Sequence, residues 1–287
     1  MNILEETRDI MKKYRIKANK SLGQNFLINQ EVIDKIVDCS NISKEDLVIE
    51  IGPGLGTLTK DLLERAGKVI CIELDSKMIK ILNDRFSSYS NFELLHQDVL
   101  KVDLNSLIKK EKEIGGIKDV KVVANLPYYI TTPIVMKLLE DRLDLQSITV
   151  MIQKEVADRL IAIPGTKLSG AITYSIYYYA TSEGIIEVPN DSFIPEPEVT
   201  SKVIKLELRK EPPVEVKRAE VLFMIIKCAF MQRRKTLLNS LTNARVFLSK
   251  EEAIKAFNEL SISENARPEE LTLQDFANIA TFILKQK

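Results

Sequence analysis

Apolar runs short enough to be strands alternate with stretches of helical periodicity from about residue 30 to about residue 155. The runs are apolar on both faces, which is typical of strands buried within a parallel sheet. The alternation therefore predicts a doubly wound α/β fold, in which ligands bind beyond the carboxyl ends of the strands. The predicted strands span residues 47–51, 69–72, 92–95, 120–124 and 147–152, and the predicted helices span 57–66, 77–87 and 133–139.

The rest of the sequence predicts two more strands of this sheet, followed by a helical segment. Two later runs, 172–181 and 202–208, are expected to complete a mostly parallel seven-stranded sheet as an antiparallel edge pair. A linker-like segment, Glu211-Pro212-Pro213, comes next. We therefore predict one domain over 1–209 and a smaller all-helical domain over 210–287. The helices expected in the second domain span 219–230, 235–243, a stretch opened by the capping box Ser249 to Glu252, and 273–284.

Composition restricts the classes of function that the chain can serve. The 41 basic and 41 acidic residues balance, so any contact with nucleic acid must come from local patches. Three scattered cysteines indicate reduced thiols and a cytoplasmic location. His96 is the only histidine, which excludes a multi-histidine metal site, and no metal is expected. Lys227 interrupts the longest apolar run, 221–230, so no membrane span is predicted either.

A glycine-rich loop follows the first predicted strand, at Glu50-Ile51-Gly52-Pro53-Gly54-Leu55-Gly56. Glycines there allow a ligand to approach the backbone closely, and the following helix presents unpaired N–H groups. The glycine spacing differs from that of a dinucleotide-binding fingerprint. An acid at Glu50 suits a cationic ligand, and S-adenosylmethionine carries a sulfonium and an ammonium group. The alternative is an ordinary glycine-rich turn between strand and helix.

Two further acids follow the next predicted strands. Glu73 ends the second strand about twenty residues after the loop, where an acid typically receives two ribose hydroxyls. Asp98 follows the third strand and is placed to accept a hydrogen bond from the adenine amino group of the cofactor. Asp75 is the alternative to Glu73. Acids after three successive strands make a site for S-adenosylmethionine a better explanation than ordinary surface charge.

The tetrapeptide Asn125-Leu126-Pro127-Tyr128 follows the fourth predicted strand and suits methylation of an adenine amine. The Asn125 side-chain oxygen and a carbonyl of Leu126 or Pro127 would accept hydrogen bonds from the amine and localise its lone pair. Proline stiffens that carbonyl. The Tyr128 ring offers a stacking surface for a base taken out of its helix. The alternative is a strand end followed by a turn.

Taken in order, these motifs resemble those of a known family. From Lys20-Ser21-Leu22-Gly23-Gln24-Asn25-Phe26-Leu27 through the glycine-rich loop and NLPYYITTPI to FIPEPEVTSKV and AFMQRRKTLLNSL, the chain resembles the bacterial small-subunit ribosomal RNA adenine dimethyltransferases, the KsgA/RsmA family. The resemblance covers nearly the whole chain. It implies a Rossmann-like methyltransferase fold and transfer of methyl groups from S-adenosylmethionine to N6 of two adjacent adenosines near the 3′ end of 16S rRNA, in the assembling small subunit.

The resemblance also implies roles for particular residues. Cofactor contacts are expected at Asn25, Leu27, Gly52, Glu73, Asp98 and Asn125, and the glycine loop adds Gly54 and Glu50 from the residues themselves. Phe193 would be a second aromatic that sandwiches the target adenine against Tyr128. The alternative for Phe193 is a core position at the start of a strand.

Other classes of protein share parts of this pattern. The methylases of large-subunit rRNA that confer macrolide resistance have a similar tetrapeptide, but the sequence of their glycine loop is usually different. A DNA adenine methyltransferase would usually carry a separate domain that reads sequence. A ribosome-assembly factor without catalytic activity would be expected to have lost the glycines and the acid of the cofactor loop. This chain retains them.

Two basic clusters are candidates for RNA binding. Between residues 11 and 22 the charged residues are all basic, and Arg233, Arg234 and Lys235 lie at the start of a predicted helix, where they oppose its dipole. Both clusters are expected to contact phosphates of 16S rRNA, with the protein acting as a monomer. The alternative for the first is a solvated N-terminal face. Its basic residues are Lys12, Lys13, Arg15, Lys17 and Lys20.

Overall fold

The computed structural model describes residues 2–18, 23–232 and 234–285. The chain divides into two compact units. The first consists of residues 1–157 and 182–208, and the second of residues 158–181 and 209–287. Within the described residues, no helix combines the length and the apolar character that crossing a membrane requires.

The first unit is built on a seven-stranded sheet. Its strand order is β4-β3-β2-β5-β6-β9-β7, and β6 pairs with β9 antiparallel while the pairs from β4 to β6 are parallel. The two short strands β1 and β8 form a separate antiparallel pair. This arrangement confirms the predicted fold class. The strands are β1 (Phe26–Leu27), β2 (Asp46–Ile51), β3 (Lys68–Glu73), β4 (Phe92–His96), β5 (Asp119–Asn125), β6 (Ser147–Gln153), β7 (Ala180–Val188), β8 (Phe193–Ile194) and β9 (Ser201–Leu208).

Helices pack their apolar stripes against the sheet of the first unit. In α2, for example, Val32, Ile33, Ile36 and Val37 are buried, a spacing that places them on one face of a helix. Burial of each such side chain contributes roughly 1.5–3 kcal/mol. The helices that begin in this unit are α1 (Ile3–Lys13), α2 (Gln30–Cys39), α3 (Thr57–Arg65), α4 (Ser76–Phe86), α5 (Leu104–Ile114), α6 (Thr131–Glu140) and α7 (Lys154–Leu160).

The second unit is helical and has its own core. Tyr174 is fully buried there, its ring meets Phe276 edge to face with 5.0 Å between centroids, and its hydroxyl donates to the Leu271 carbonyl at 2.6 Å. The Ser249 hydroxyl accepts from the Glu252 N–H at 3.1 Å and starts the third of the predicted helices. The helices are α8 (Ala171–Tyr179), α9 (Ala219–Phe230), α10 (Leu237–Asn243), α11 (Lys250–Glu259) and α12 (Leu273–Lys285).

The prediction of a strand over residues 172–181 is wrong, because most of this run forms α8. Tyr174 and Tyr178 lie one helical turn apart and both are buried in the second unit's core, which favours a helix over a strand. The edge strand is β7 instead. The predicted domain over 1–209 also included residues 158–181, whereas in the structure these residues group with the second unit.

Candidate active site

A pocket of about 1070 Å³, counting space open to solvent, lies in the first unit beyond the carboxyl ends of β2, β3, β4 and β5. The carboxyl ends of parallel strands meet at one edge of a sheet, so residues far apart in sequence converge there. The pocket is lined by all but one of the predicted cofactor and target-base residues of this unit: Asn25, Leu27, Glu50, Gly52, Gly54, Glu73, Asp98, Asn125, Leu126, Pro127 and Tyr128.

The glycine-rich loop between β2 and α3 needs its glycines for conformation and for space. Gly52, Gly54 and Gly56 have φ values of +66°, +58° and +78°, a region that side chains rarely adopt. A Cβ on Gly56 would lie 2.4 Å from Cε2 of Phe86. The loop is also held from outside, because the Arg85 guanidinium donates to the Leu55 carbonyl. The backbone that a ligand would approach is therefore preset.

Glu73 is fixed in the pocket wall by backbone donors. Its Oε1 accepts from the Leu74 and Asp75 N–H groups, both at 2.8 Å, and its Oε2 accepts from the Gly54 N–H at 3.2 Å. The side chain is 8% exposed, and desolvation by burial raises the pKa of its carboxyl. Asp75, the alternative for this role, does not line the pocket and instead caps α4 by accepting from the Lys77 N–H at 2.9 Å.

Glu50 lies at the end of β2, where its carboxylate is almost completely buried. Its Oε2 accepts from the Thr59 hydroxyl at 2.7 Å and from the Cys71 thiol at 3.4 Å. Desolvation by burial raises the pKa of Glu50 to about 7, although the hydrogen bonds from Thr59 and Cys71 lower it in part and repulsion from Glu73 adds a smaller increase. Since an adjacent positive charge favours the ionised form, a cationic ligand would relieve this penalty.

Asp98 follows β4 and begins a short 3-10 helix, Val99–Lys101. Its Oδ1 accepts from the Leu100 N–H at 3.0 Å, which fixes the carboxylate in the pocket wall. Leu74 and Val99 also line the pocket, although neither was predicted from the sequence. Each directly follows a predicted site acid, Glu73 or Asp98, and that position is the signal that would have found them. Apolar side chains next to these acids suit a purine ring flanked by polar groups.

The tetrapeptide has its hydrogen-bond acceptors arranged by neighbouring groups. The Asn125 amide nitrogen donates to the Asn25 carbonyl at 3.3 Å, which leaves the amide oxygen as an acceptor. The Pro127 carbonyl already accepts from the Ile130 N–H at 3.2 Å and from the Thr131 hydroxyl at 3.1 Å. No donor among the described residues bonds the Leu126 carbonyl. Of the two carbonyls left open by the sequence, Leu126 is thus the one without a protein donor among the described residues.

The aromatic residues of the site differ in accessibility. Tyr128 is half-buried in the pocket wall. The adjacent Tyr129, which was not predicted as a site residue, is 57% exposed and also lines the pocket. Phe193 does not line it. Its side chain is 1% exposed, because β8 pairs Phe193 with Leu27 of β1 and places it in the hydrophobic core. Its contact with the target base stays a prediction.

The predicted RNA-binding residues that the structure describes are exposed. In the first unit these are Lys12 and Lys13, in the last turn of α1, and the following Arg15 and Lys17. Arg234 and Lys235 precede α10 in the second unit. Lys20 and Arg233 lie outside the described residues.

The chemistry of the pocket fits S-adenosylmethionine. Glu50 would face the sulfonium and ammonium groups of a bound donor, and Glu73 and Asp98 would accept hydrogen bonds from its ribose hydroxyls and its adenine amino group. In the described part of the chain, no three or more His, Cys, Asp or Glu side chains are grouped to hold a metal ion.

Comparisons with known proteins identify the family of the chain. A family model described as "Ribosomal RNA adenine dimethylase" matches residues 15–285. The chain is 45% identical over 282 residues to the ribosomal RNA small subunit methyltransferase A of Alkaliphilus oremlandii, covering 98% of this chain and 97% of the relative. It is 48% identical over 274 residues to the protein of the same name from Alkaliphilus metalliredigens, covering 96% and 94%.

Solved structures extend the comparison to the fold. A dimethyladenosine transferase from Plasmodium falciparum superposes with a TM-score of 0.74 at 26% identity, covering 91% of this chain and 98% of that chain. The 23S rRNA methyltransferase ErmE superposes with a TM-score of 0.68 at 23% identity, covering 90% and 99%. The second likeness concerns the fold alone.

Proposed function

The chain belongs to the ribosomal RNA adenine dimethylase family, and we propose that it dimethylates N6 of two adjacent adenosines near the 3′ end of 16S rRNA. S-adenosylmethionine is the methyl donor. The names of the relatives at 45% and 48% identity support a small-subunit substrate over the large-subunit alternative. We place the reaction in the cytoplasm, where bacterial small subunits assemble. All proposed cofactor and base contacts lie in one unit of one chain, which favours a monomer as the active species.

The observation that carries the proposal is the arrangement of acceptors at the tetrapeptide. The Asn125 amide is oriented by the Asn25 carbonyl, and the Leu126 carbonyl is free of the donors that occupy Pro127. Two acceptors on adjacent residues match the two N–H groups of an exocyclic amine. Hydrogen bonds from both N–H groups to these two acceptors localise the lone pair on the amine nitrogen. The amine is then a better nucleophile.

The remaining residues position the two reactants. Glu73 and Asp98 hold the nucleoside of the donor, Glu50 faces its cationic part, and Tyr128 stacks on the target base. The methyl group passes from the sulfonium to N6, the amine loses a proton to solvent, and S-adenosylhomocysteine remains. Because the chain supplies fixed acceptors, positioning should account for most of the acceleration.

Methyl transfer from labelled S-adenosylmethionine to defined substrates tests the function. We expect incorporation into small-subunit particles that lack the modification, with N6,N6-dimethyladenosine as the final product. Naked DNA and large-subunit RNA serve as the competing substrates. Preferential methylation of either of these, or no incorporation at all, would contradict the proposal.

Asn125→Ala tests the role of the tetrapeptide. Removing one of two acceptors at the reacting amine should lower kcat at least 100-fold, in line with the loss of a single stabilising group at a reaction centre. Asn105→Ala is a matched control, because the Asn105 amide also donates to a backbone carbonyl, that of Asp141 at 3.0 Å, but lies outside the pocket. Near-normal turnover by the Asn125 variant would remove Asn125 from the mechanism.

A further inference from the structure

The segment FIPEPEVTSKV reaches the tetrapeptide through Ser201. Ser201 is the first residue of β9, pairs with Gln153 of β6 and is fully buried. Its Oγ lies 2.6 Å from the hydroxyl oxygen of Tyr128, well within hydrogen-bond distance. Phe193, from the same segment, faces the core instead. The link between this segment and the candidate base-binding residue is therefore a hydroxyl pair.

This contact fixes the end of the Tyr128 ring that the backbone does not control. The ring turns about two side-chain torsions, and its Cβ end is set by the 3-10 helix Tyr128–Ile130 that follows Pro127. Ser201 cannot follow the ring, because it sits in a paired strand and the preceding Thr200 carbonyl accepts from the Lys154 N–H at 2.9 Å. A hydrogen bond from a rigid strand to the far end of the ring therefore restricts the plane in which the ring lies.

The pair remains neutral under ordinary conditions. Burial raises the pKa of the Tyr128 hydroxyl above its usual 10.0, so the phenol keeps its proton at any pH at which the protein works. Either hydroxyl is able to donate. The interaction should consequently be insensitive to pH between about 6 and 9, unlike a contact that involves the phenolate.

We propose that Ser201 is a positioning residue that sets the orientation of the Tyr128 ring on which the target adenine stacks. The inference rests on the proposed function. Its consequence is specific: loss of the hydroxyl should misalign the bound base relative to the acceptors at Asn125 and Leu126, while leaving the donor contacts at Glu50, Glu73 and Asp98 unchanged. Ser201 itself does not line the pocket.

The test compares Ser201→Ala, Tyr128→Phe and the double variant with the wild-type chain, using labelled S-adenosylmethionine and unmethylated small-subunit particles. Each single variant removes one hydroxyl and keeps the strand or the ring. We expect each to lower kcat by about tenfold, the scale of one lost hydrogen bond at a reaction centre. The affinity for S-adenosylhomocysteine, measured by calorimetry, should stay within twofold of wild type.

The double variant carries the decisive comparison. Both changes break the same hydrogen bond, so the double variant should be no slower than the slower single variant. Ser40→Ala is the matched control, since Ser40 is also buried and bonds the Ile36 carbonyl at 2.7 Å, outside the pocket. It should leave kcat unchanged.

Three results would overturn the inference. Ser201→Ala with a wild-type kcat would remove the positioning role, and so would losses that multiply in the double variant. A loss of donor affinity equal to the loss of kcat would indicate a general structural effect. Absence of transfer by the wild-type chain would instead overturn the proposed function, and the positioning role with it.

Discussion

Glu50→Gln should stabilise the first unit at alkaline pH and have little effect at acidic pH. Glu50 is 2% exposed and lies among neutral hydrogen-bonding groups, the Thr59 hydroxyl and the Cys71 thiol. Ionising such a carboxyl places a negative charge in a medium that solvates it poorly. Glutamine keeps the size and the acceptor oxygen but carries no charge, so it removes this cost.

The pKa of Glu50 gives the sign and size of the effect. Its value of about 7 in the folded chain lies above the ordinary value of 4.5, so between these two pH values the folded state keeps a proton that the unfolded state has released. Stability therefore falls as pH rises through this window, and the full cost is reached above about 7. The difference corresponds to about 3 kcal/mol. The variant should gain up to this amount at pH 8 and almost nothing near pH 4.5.

Urea unfolding of the two full-length proteins, followed by circular dichroism at several pH values, measures this difference. Other ionisable groups, including Glu73, are present in both proteins, so their effects largely cancel in the comparison. A constant difference between the proteins across the window would refute the reasoning. So would a variant that is less stable than wild type at pH 8.

Cofactor binding should depend on the same proton. A cationic ligand beside Glu50 lowers the pKa of its carboxyl, so binding releases a proton when the free protein is still protonated. The affinity of the wild-type chain for S-adenosylmethionine should rise with pH up to about 7 and then level off. Calorimetry on Glu50→Gln should find no such rise. A rise of equal steepness in the variant would assign the proton to another group.

Two further changes test the loop and the second basic cluster. Gly56→Ala adds a Cβ 2.4 Å from Phe86 and should lower the free energy of unfolding by about 3 kcal/mol. Gly116→Ala, also at positive φ but in open space, should lower it by about 1 kcal/mol. Urea unfolding measures both values. Equal losses would exclude the steric argument. Replacing Arg234 and Lys235 by Ala should make the slope of log affinity for 16S rRNA against log salt shallower, by about 0.7–0.9 for each phosphate that the protein no longer neutralises, as measured by filter binding. An unchanged slope would separate this cluster from RNA binding.

Patterns that depend on local sequence predicted most of the first unit. The parallel strands β2 to β6 were found within one residue at each end, because all of them except the edge strand β4 lie inside the sheet and are apolar on both faces. The acids at the ends of β3 and β4 were assigned to the pocket because topology places the ends of parallel strands together. Both inferences need only the chain itself and the rules of α/β folds.

The features that the sequence did not reveal depend on packing between distant segments. The run that forms α8 contains several tyrosines and β-branched residues, a composition that also favours strands. Only the core around Tyr174 decides in favour of the helix. Phe193 is a similar case. A phenylalanine at the start of a strand suits either a stacking site or a core, and its pairing with Leu27 places it in the core.

The tetrapeptide shows most directly why a motif needs its surroundings. Asparagine and proline after a strand are ordinary turn residues, and nothing within the four residues selects which oxygens a ligand meets. The selection comes from elsewhere: Asn25, 100 residues away in sequence, orients the Asn125 amide, and the Thr131 hydroxyl occupies the Pro127 carbonyl. Ser201, 73 residues from Tyr128, restrains the ring. The capacity for amine chemistry therefore belongs to the folded arrangement of these segments, and Thr131→Val, which removes the hydroxyl from the Pro127 carbonyl, should impair transfer without altering the motif itself.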